Sequence, residues 1–476
     1  MSWFSIEPPQ SQTNAQPPVL VHPASSRYEP RNVLGQLTDE DTSWLAQSSG
    51  FVTETQTFYL TLPGGKLAMC QVIHSAIGLW YPQIQFTFRF VDQEAGVHHW
   101  KSTNVTNFKT PPPSSGSSST KYDRRSCKAD QFSILLDPAQ PDRYTVTGKH
   151  EDSVQIEFSV TRMANVPGWK LGQDARGGLT YFGRLVSKEP SKSGPDYGAG
   201  SDGYLVHRFW PRCSVSGRLV LEGRTVELDG SRAIFVHAIQ GMRPNLIASR
   251  WNFCNFQSVR SPHNPDAAEG AGETDPGVSL TLMEFTTVPG SYGPAQTVSI
   301  GSIVAGDKLV GISCSPNPSD IVHAKTIHQA PLLHDLDTGY QVPSSIKFEW
   351  LAPILSIDGS SVNPTTQLAT AELVLDLEAK KLSERESYVS KGLIEKVDVM
   401  AQIPYLVKKV ISAVAGARPY IYTWLNPVTA NISLPNAAVP AGMTVKPESA
   451  DGETSKFTIV GHLFNVSILS DFLVWE

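Results

Sequence analysis

The chain has 476 residues, a net charge of −6 and a pI near 6.1, with 40% hydrophobic and 18% charged residues. The length suits two or three domains at roughly 100–200 residues each. The acidic balance argues against a nucleic-acid partner, because phosphate affinity needs clustered Lys and Arg. The five widely spaced cysteines, with no CxxC, argue against a disulfide framework or a zinc site.

Residues 1–44 are rich in Pro, Ser, Gln and Asn and predict a disordered tail, with order beginning near Ser43–Gly50. The start, "MSWFSIEPPQ", has neither a basic n-region nor an apolar core, and reads as no signal peptide. No window approaches 18 apolar residues, the length needed to span a bilayer as a helix.

Alternation then sets in. "QIQFTFRF" places Ile84, Phe86, Phe88 and Phe90 on one face, and "SVQIEFSV" does so with Val154, Ile156, Phe158 and Val160. "TAELVLDLEAK" repeats it with Ala371, Leu373, Leu375 and Leu377. A period of two marks half-buried strands, and its recurrence in both halves predicts an all-β chain of two antiparallel barrels, 45–213 and 214–476. Segments 109–126, 187–203 and 261–277 are low in apolar residues and read as surface insertions.

One short helix is expected over 403–415, where Ile403, Leu406, Val407, Val410, Ile411 and Val414 share a face. It reads as a helix buttressing a barrel, with a membrane-surface helix as the sharper alternative.

No catalytic set emerges: GxSxG, P-loop, HExxH and strand-to-helix GxGxxG patterns are all missing. His98 and His99 are adjacent on a strand and point apart, so no metal ligands are assigned. Arg212 in "FWPRC" suits either a structural role or an anionic head group, and Cys213 reads as a small buried hydrophobe. Glu284 shares a face with Leu280 and Leu282 and needs a partner if buried; Arg250 is the expected one.

"AIFVHAIQGMRPNLIASRWNFCNFQS", Ala233–Ser258, reads as two strands of the second barrel around a Gly241–Pro244 turn. His237 shares a face with Phe235 and Ile239, the setting of a hydrogen-bonded core histidine.

Five stretches occur in order: "AMCQVIHSAIGLWYPQIQFTFRF", "HRFWPRCSVSGRL", the segment just quoted, "LTLMEFTTVPGSYG" and "LIEKVDVMAQIPYLVKKVISAVAGARPYIYTW". Together they resemble the fungal survival factor 1 family across roughly residues 50–425. The resemblance implies tandem lipocalin-like barrels, no cofactor, and a non-enzymatic protein that binds and transfers a ceramide-like sphingolipid in support of survival under oxidative stress. It implies a cytoplasmic location, with nuclear and peripheral endoplasmic reticulum and Golgi pools. Relatives commonly start with an amphipathic helix; this chain opens with "MSWFSI" before Pro8 and Pro9, so weak attachment to bare membranes is expected. If a barrel holds ceramide, Trp251 or Phe253 would line its apolar part, and His237 or Gln240 would meet its amide and hydroxyls. The alternatives are a lipocalin-fold pocket catalyst of the cyclase or pericyclase type, and a binding platform whose barrels are filled with side chains.

Overall fold

The computed structural model describes residues 20–29, 32–77, 81–113, 121–150, 153–174, 176–183, 201–258, 277–317, 322–356, 367–381, 388–402, 419–440, 446–447 and 454–469. It holds two curled antiparallel sheets in tandem, each wrapped around its own apolar core as in lipocalin-like barrels. The all-β expectation is met. The helix expected over 403–415 lies outside the described residues, next to a helical turn at Val399–Gln402. Most of the 187–203 and 261–277 stretches lie outside them as well.

The first sheet is a meander of Phe51–Thr61, Leu67–Ile77, Gln83–Asp92 and Val97–Asn104, joined through Phe51–Thr61 to Arg232–Gln240. Gly203–Leu221, Val154–Arg162, Arg143–His150 and Phe132–Leu136 follow in pairing order. Its two ends curl together. Phe86 stacks on Phe132 and His150, with ring centroids 4.7 and 4.8 Å away, and Lys109 bridges to Lys128. The alternating residues of Val154–Arg162 fall where their period puts them: Val154, Ile156, Phe158 and Val160 are buried in this core. Phe58, Tyr144, Trp210 and Phe235 fill its centre with ring–ring contacts near 5 Å, each worth about 0.5–1.5 kcal/mol beyond its buried area.

The second sheet pairs Lys308–Ser315, Thr297–Ala305, Val278–Thr287, Ala248–Gln257, Thr454–Leu469, Tyr420–Pro435, Leu368–Asp376, Gln341–Pro353 and His323–His334 in that order. It closes where Leu355 N–H donates to the Val310 carbonyl at 2.9 Å and Gly311 bridges to Ile354. Trp350, Tyr422 and Trp424 fill its core, which also takes in Leu373, Leu375 and Leu377.

Two expected boundaries move. The sheets part at the turn Pro244–Ile247, not at 213/214. Gly203–Leu221 runs on as one 19-residue strand with a bulge between Trp210 and Cys213, and Arg232–Gln240 pairs with it inside the first sheet. The two strands of Ala233–Ser258 therefore belong to different barrels, and the turn between them is the crossover.

Residues 20–44 are also no tail. Leu34–Gln36 pairs with Trp169–Leu171, and Val21–His22 with Tyr181 and Phe182. Burial of Val33, Leu34 and Trp44 opposes the ordering entropy that the segment's polar composition suggested would prevail. Asp41 then pins the segment: Lys170 Nζ lies 2.8 Å and Arg208 Nε 3.3 Å from its carboxylate. These two cations hold the Asp41 carboxyl below its ordinary value against the opposing effect of burial.

Between the barrels lies a third apolar cluster. Tyr59 of the first sheet packs against Phe253 and Phe464 of the second at 5.2 and 5.3 Å. Arg212, fully buried in the bulge, donates to the Val278 and Ser258 carbonyls at 3.1 and 3.3 Å and to Ser279 Oγ at 2.9 Å, tying the barrels together. Its role is structural.

Candidate functional site

The four residues singled out in the sequence do not form one site. His237 points into the first barrel and is fully buried. Its Nε2 lies 2.9 Å from Glu54 Oε1 and its Nδ1 lies 3.2 Å from the Asp41 carbonyl. Both ring nitrogens are thus engaged by the protein. Trp251 is half-buried at the barrel junction, 5.1 Å from Phe285 and 6.0 Å from His207. Phe253 is the junction partner of Tyr59. Gln240 sits half-buried at a strand end, opposite Thr53 and Leu205. Trp251 and Phe253 do share a face, but it is the outer face of the second barrel, turned toward the first; Cys254 and Phe256 face the core.

Both barrel interiors are occupied by side chains. Among the described residues, one roomy hollow of about 740 Å³ opens beside His74, Phe108 and Tyr122 on the first barrel, and a second lies at the junction of the two barrels. The second is a cleft of about 790 Å³, within the ~300–1,000 Å³ usual for small-molecule sites. One wall comes from the N-terminal segment Leu34–Thr42 and from turns of the first barrel around Pro141–Asp142 and Arg162–Gly168. The other comes from Lys308–Val310, Ile354–Ser356 and Pro435–Ala438 of the second barrel.

Its floor is apolar. Leu34, Leu37, Trp210, Leu309, Ile354 and Leu355 line it. Trp210 is shared: its indole packs at 5.0 Å on Tyr144 inside the first barrel and also faces the cleft. Gly168 makes this possible, because a Cβ there would meet Trp210 Cδ1 at 2.6 Å. Val310 and Ile354 belong to both the cleft and the core of the second barrel, so the seam that closes that barrel forms the cleft wall.

Polar groups sit along the first-barrel wall. Arg162 Nε donates to Asp142 Oδ1 at 3.0 Å and Arg162 Nη1 to the Val166 carbonyl at 2.7 Å. Arg125 pairs with Asp39, and its Nε donates to Asp123 Oδ2 at 2.9 Å. Asn165 reaches across to the second barrel, donating to Asp307 Oδ2 at 2.7 Å. Thr38 is held by the Asp41 carboxylate, with its N–H and Oγ1 at 2.9 and 3.0 Å.

Sequence reading missed this cleft. Part of one wall falls in the stretch expected to be a tail, and much of the rest in short turns such as "PAQPDRY" and "RMANVPGW". No period marks such residues; packing of the two barrels brings them together. The signal available was Trp210 beside Pro211 in a bulged strand.

Two further expectations are settled here. Cys213 is buried with the other four free cysteines, and desolvation raises its thiol well above the ordinary value, which keeps it protonated and inert. Glu284 finds its partners in Asn252 Nδ2 at 3.1 Å and the Thr326 N–H at 3.0 Å, whereas Arg250 is exposed and acts only from a distance.

Comparison with known proteins gives a consistent match. A family model described as the Svf1 family matches residues 1–450. "Ceramide-binding protein SVF1" of Eremothecium gossypii is 31% identical over 418 residues, covering 86% of this chain and 88% of the relative. The "Ceramide-binding protein svf1" of Aspergillus fumigatus is 31% identical over 390 residues, covering 81% and 78%. Among solved structures, CghA with Sch210972 aligns with a TM-score of 0.52 at 10% identity, covering 95% of this chain and 99% of that one, a likeness of fold alone.

Proposed function

Because this chain belongs to the Svf1 family, we propose that it is a non-catalytic ceramide-binding protein whose lipid lies in the cleft between the barrels. Relatives named for ceramide binding support the ligand class. One observation supports the place: the described barrel cores are packed with side chains, and the junction keeps about 790 Å³ lined by leucines and an indole, whereas the hollow beside His74 is more open and lined in part by prolines. Such a floor suits acyl chains, at about 0.8 kcal/mol per methylene removed from water. The polar first-barrel wall suits a head group with amide and hydroxyls.

Transfer between endoplasmic reticulum and Golgi membranes, from a cytoplasmic pool and in support of survival under oxidative stress, belongs to the same reading. The relatives' names describe binding, which supports this role over pocket catalysis.

The test fills the cleft. Full-length protein is incubated with vesicles containing N-palmitoyl sphingosine, re-isolated, and its lipid quantified by mass spectrometry. Leu355→Trp should remove most of the retained lipid and leave the fold intact by circular dichroism. Retention equal to wild type in a folded Leu355→Trp protein would remove the cleft from the reading.

A further inference from the structure

We propose that Asp39 and Asp142 make the cleft selective for an uncharged, hydroxyl-bearing head group and exclude phosphorylated or otherwise anionic lipids. The inference rests on the cleft as the lipid site and adds what that site reads.

The geometry carries it. Two arginines line the cleft, and either would ordinarily suit a phosphate. Both are already committed. The Arg162 side chain is only 17% exposed, with Nε and Nη2 on Asp142 and Nη1 on the Val166 carbonyl. Arg125 is 7% exposed, held between Asp123 and Asp39. Their carboxylate partners are the exposed members: the Asp142 side chain is 49% and the Asp39 side chain 74% accessible. The guanidinium groups thus stand behind the carboxylates, and a ligand entering along this wall meets the carboxylates first.

Charge accounting points the same way. The lining carries Arg125, Arg162 and Lys308 against Asp39 and Asp142, and Asp123 on Arg125 and Asp307 on Asn165 bring the immediate surroundings to three cations against four carboxylates, so the site offers no net cationic field. Lys308 is exposed, across the cleft on the second-barrel wall. A phosphate would have to break an arginine pair or sit beside two carboxylates, and like charges placed together repel. A hydroxyl donor has the opposite fate: carboxylates accept from it, and charge-assisted hydrogen bonds are the stronger kind. The order of presentation, acid in front and base behind, therefore selects hydroxyl donors.

The experiment compares N-palmitoyl sphingosine with its 1-phosphate, each offered to the full-length protein at equal concentration and quantified by native mass spectrometry. Wild type should prefer the uncharged lipid by at least about tenfold. Asp39→Asn/Asp142→Asn keeps the side-chain shape and one acceptor oxygen at each position and removes the charges. It should bring the preference to within about threefold, chiefly through tighter phosphate binding. Asp142→Glu should keep the wild-type preference. A measurement free of substitutions accompanies these: raising salt should narrow the wild-type preference, because screening weakens repulsion between exposed charges. Equal binding of both lipids by wild type, or an unchanged preference in the folded double variant, would overturn the assignment. Failure of the cleft itself shows differently: Leu355→Trp would then spare both lipids, whereas failure of selectivity alone leaves both sensitive to it.

Discussion

Among the described residues, each barrel buries one glutamate close to a histidine, and the two are satisfied in different ways. In the first, Glu54 is fully buried and accepts from the Leu45 and Ala46 N–H groups at 2.9 Å, with His237 on its other side. Those amides belong to the N-terminal segment, which crosses the barrel mouth with Trp44 buried beneath it. In the second, Glu284 accepts from the Thr326 N–H on the edge strand and from Asn252, which in turn meets His328 at 3.1 Å. One carboxylate holds a separate segment as a cap; the other closes the barrel's own seam. The difference matters for the cleft. The segment that Glu54 anchors also supplies Thr38, Asp39 and Thr42 to the cleft wall, so the first barrel's clasp positions ligand-facing residues. Glu284, Asn252, Thr326 and His328 are absent from the cleft lining, to which the second barrel's seam contributes around Lys308–Val310 and Ile354–Ser356.

Breaking the two clasps should therefore give unequal results. Glu54→Ala leaves two half-buried N–H groups and the buried His237 without their acceptor, and is expected to lower stability by about 3–5 kcal/mol in urea unfolding. It should also reduce lipid retention in the fraction that stays folded, because the Asp39–Thr42 wall loses its anchor. Retention at the wild-type level in that fraction would show that the wall stands without the clasp.

The junction should rank next. Arg212→Met preserves bulk and removes the hydrogen bonds to the Val278 and Ser258 carbonyls and to Ser279. The cost should be about 1–3 kcal/mol, the usual penalty for leaving buried acceptors unmet. Unfolding should split into two transitions as the barrels lose their tie. A single transition with an unchanged midpoint would show that the apolar contacts of Tyr59, Phe253 and Phe464 suffice.

These residues also show what was legible in the sequence. The strands of both barrels were, because Val154, Ile156, Phe158 and Val160 alternate and one face is buried. Which barrel a strand joins was not: Arg232–Gln240 pairs with a strand some 180 positions earlier, and nothing local encodes that. The same gap misplaced Trp251 and Phe253. Alternation put them correctly on one face but cannot say whether that face lines a core or meets a neighbouring sheet. The segment at 20–44 failed for another reason. Its average composition is polar, yet Val33, Leu34, Asp41 and Trp44 are each buried against a specific partner, which averaging hides.

The Glu284 seam sharpens the comparison through pH. Burial raises the Glu284 carboxyl above its ordinary value near 4.5, outweighing the hydrogen bonds from Thr326 and Asn252. The folded state thus holds this proton more tightly than the unfolded state does. Between the two values the folded protein binds more protons, so its stability falls as pH rises through that window and is regained on acidification. The slope from this group is at most about 1.4 kcal/mol per pH unit. Glu284→Gln should remove that component from a plot of unfolding free energy against pH. A plot that keeps its slope in the variant would assign the pH dependence to other groups.

The smallest effect is expected where the sequence suggested ligand contact. Gln240 ends its strand half-buried, opposite Thr53 and Leu205, and is absent from the cleft lining. Its backbone pairing survives any side chain that tolerates extended geometry. Gln240→Leu should therefore change stability by no more than about 0.5 kcal/mol, as for surface substitutions away from special features. Ceramide retention should stay at the wild-type level. The contrast with Leu355→Trp is the point of the pair: one residue lies on the strand that joins the two halves of the first sheet, the other on the seam of the second barrel where the cleft is lined. If Gln240→Leu lowered retention while Leu355→Trp did not, the lipid would belong near the end of the Arg232–Gln240 strand, and the first barrel rather than the junction would hold it.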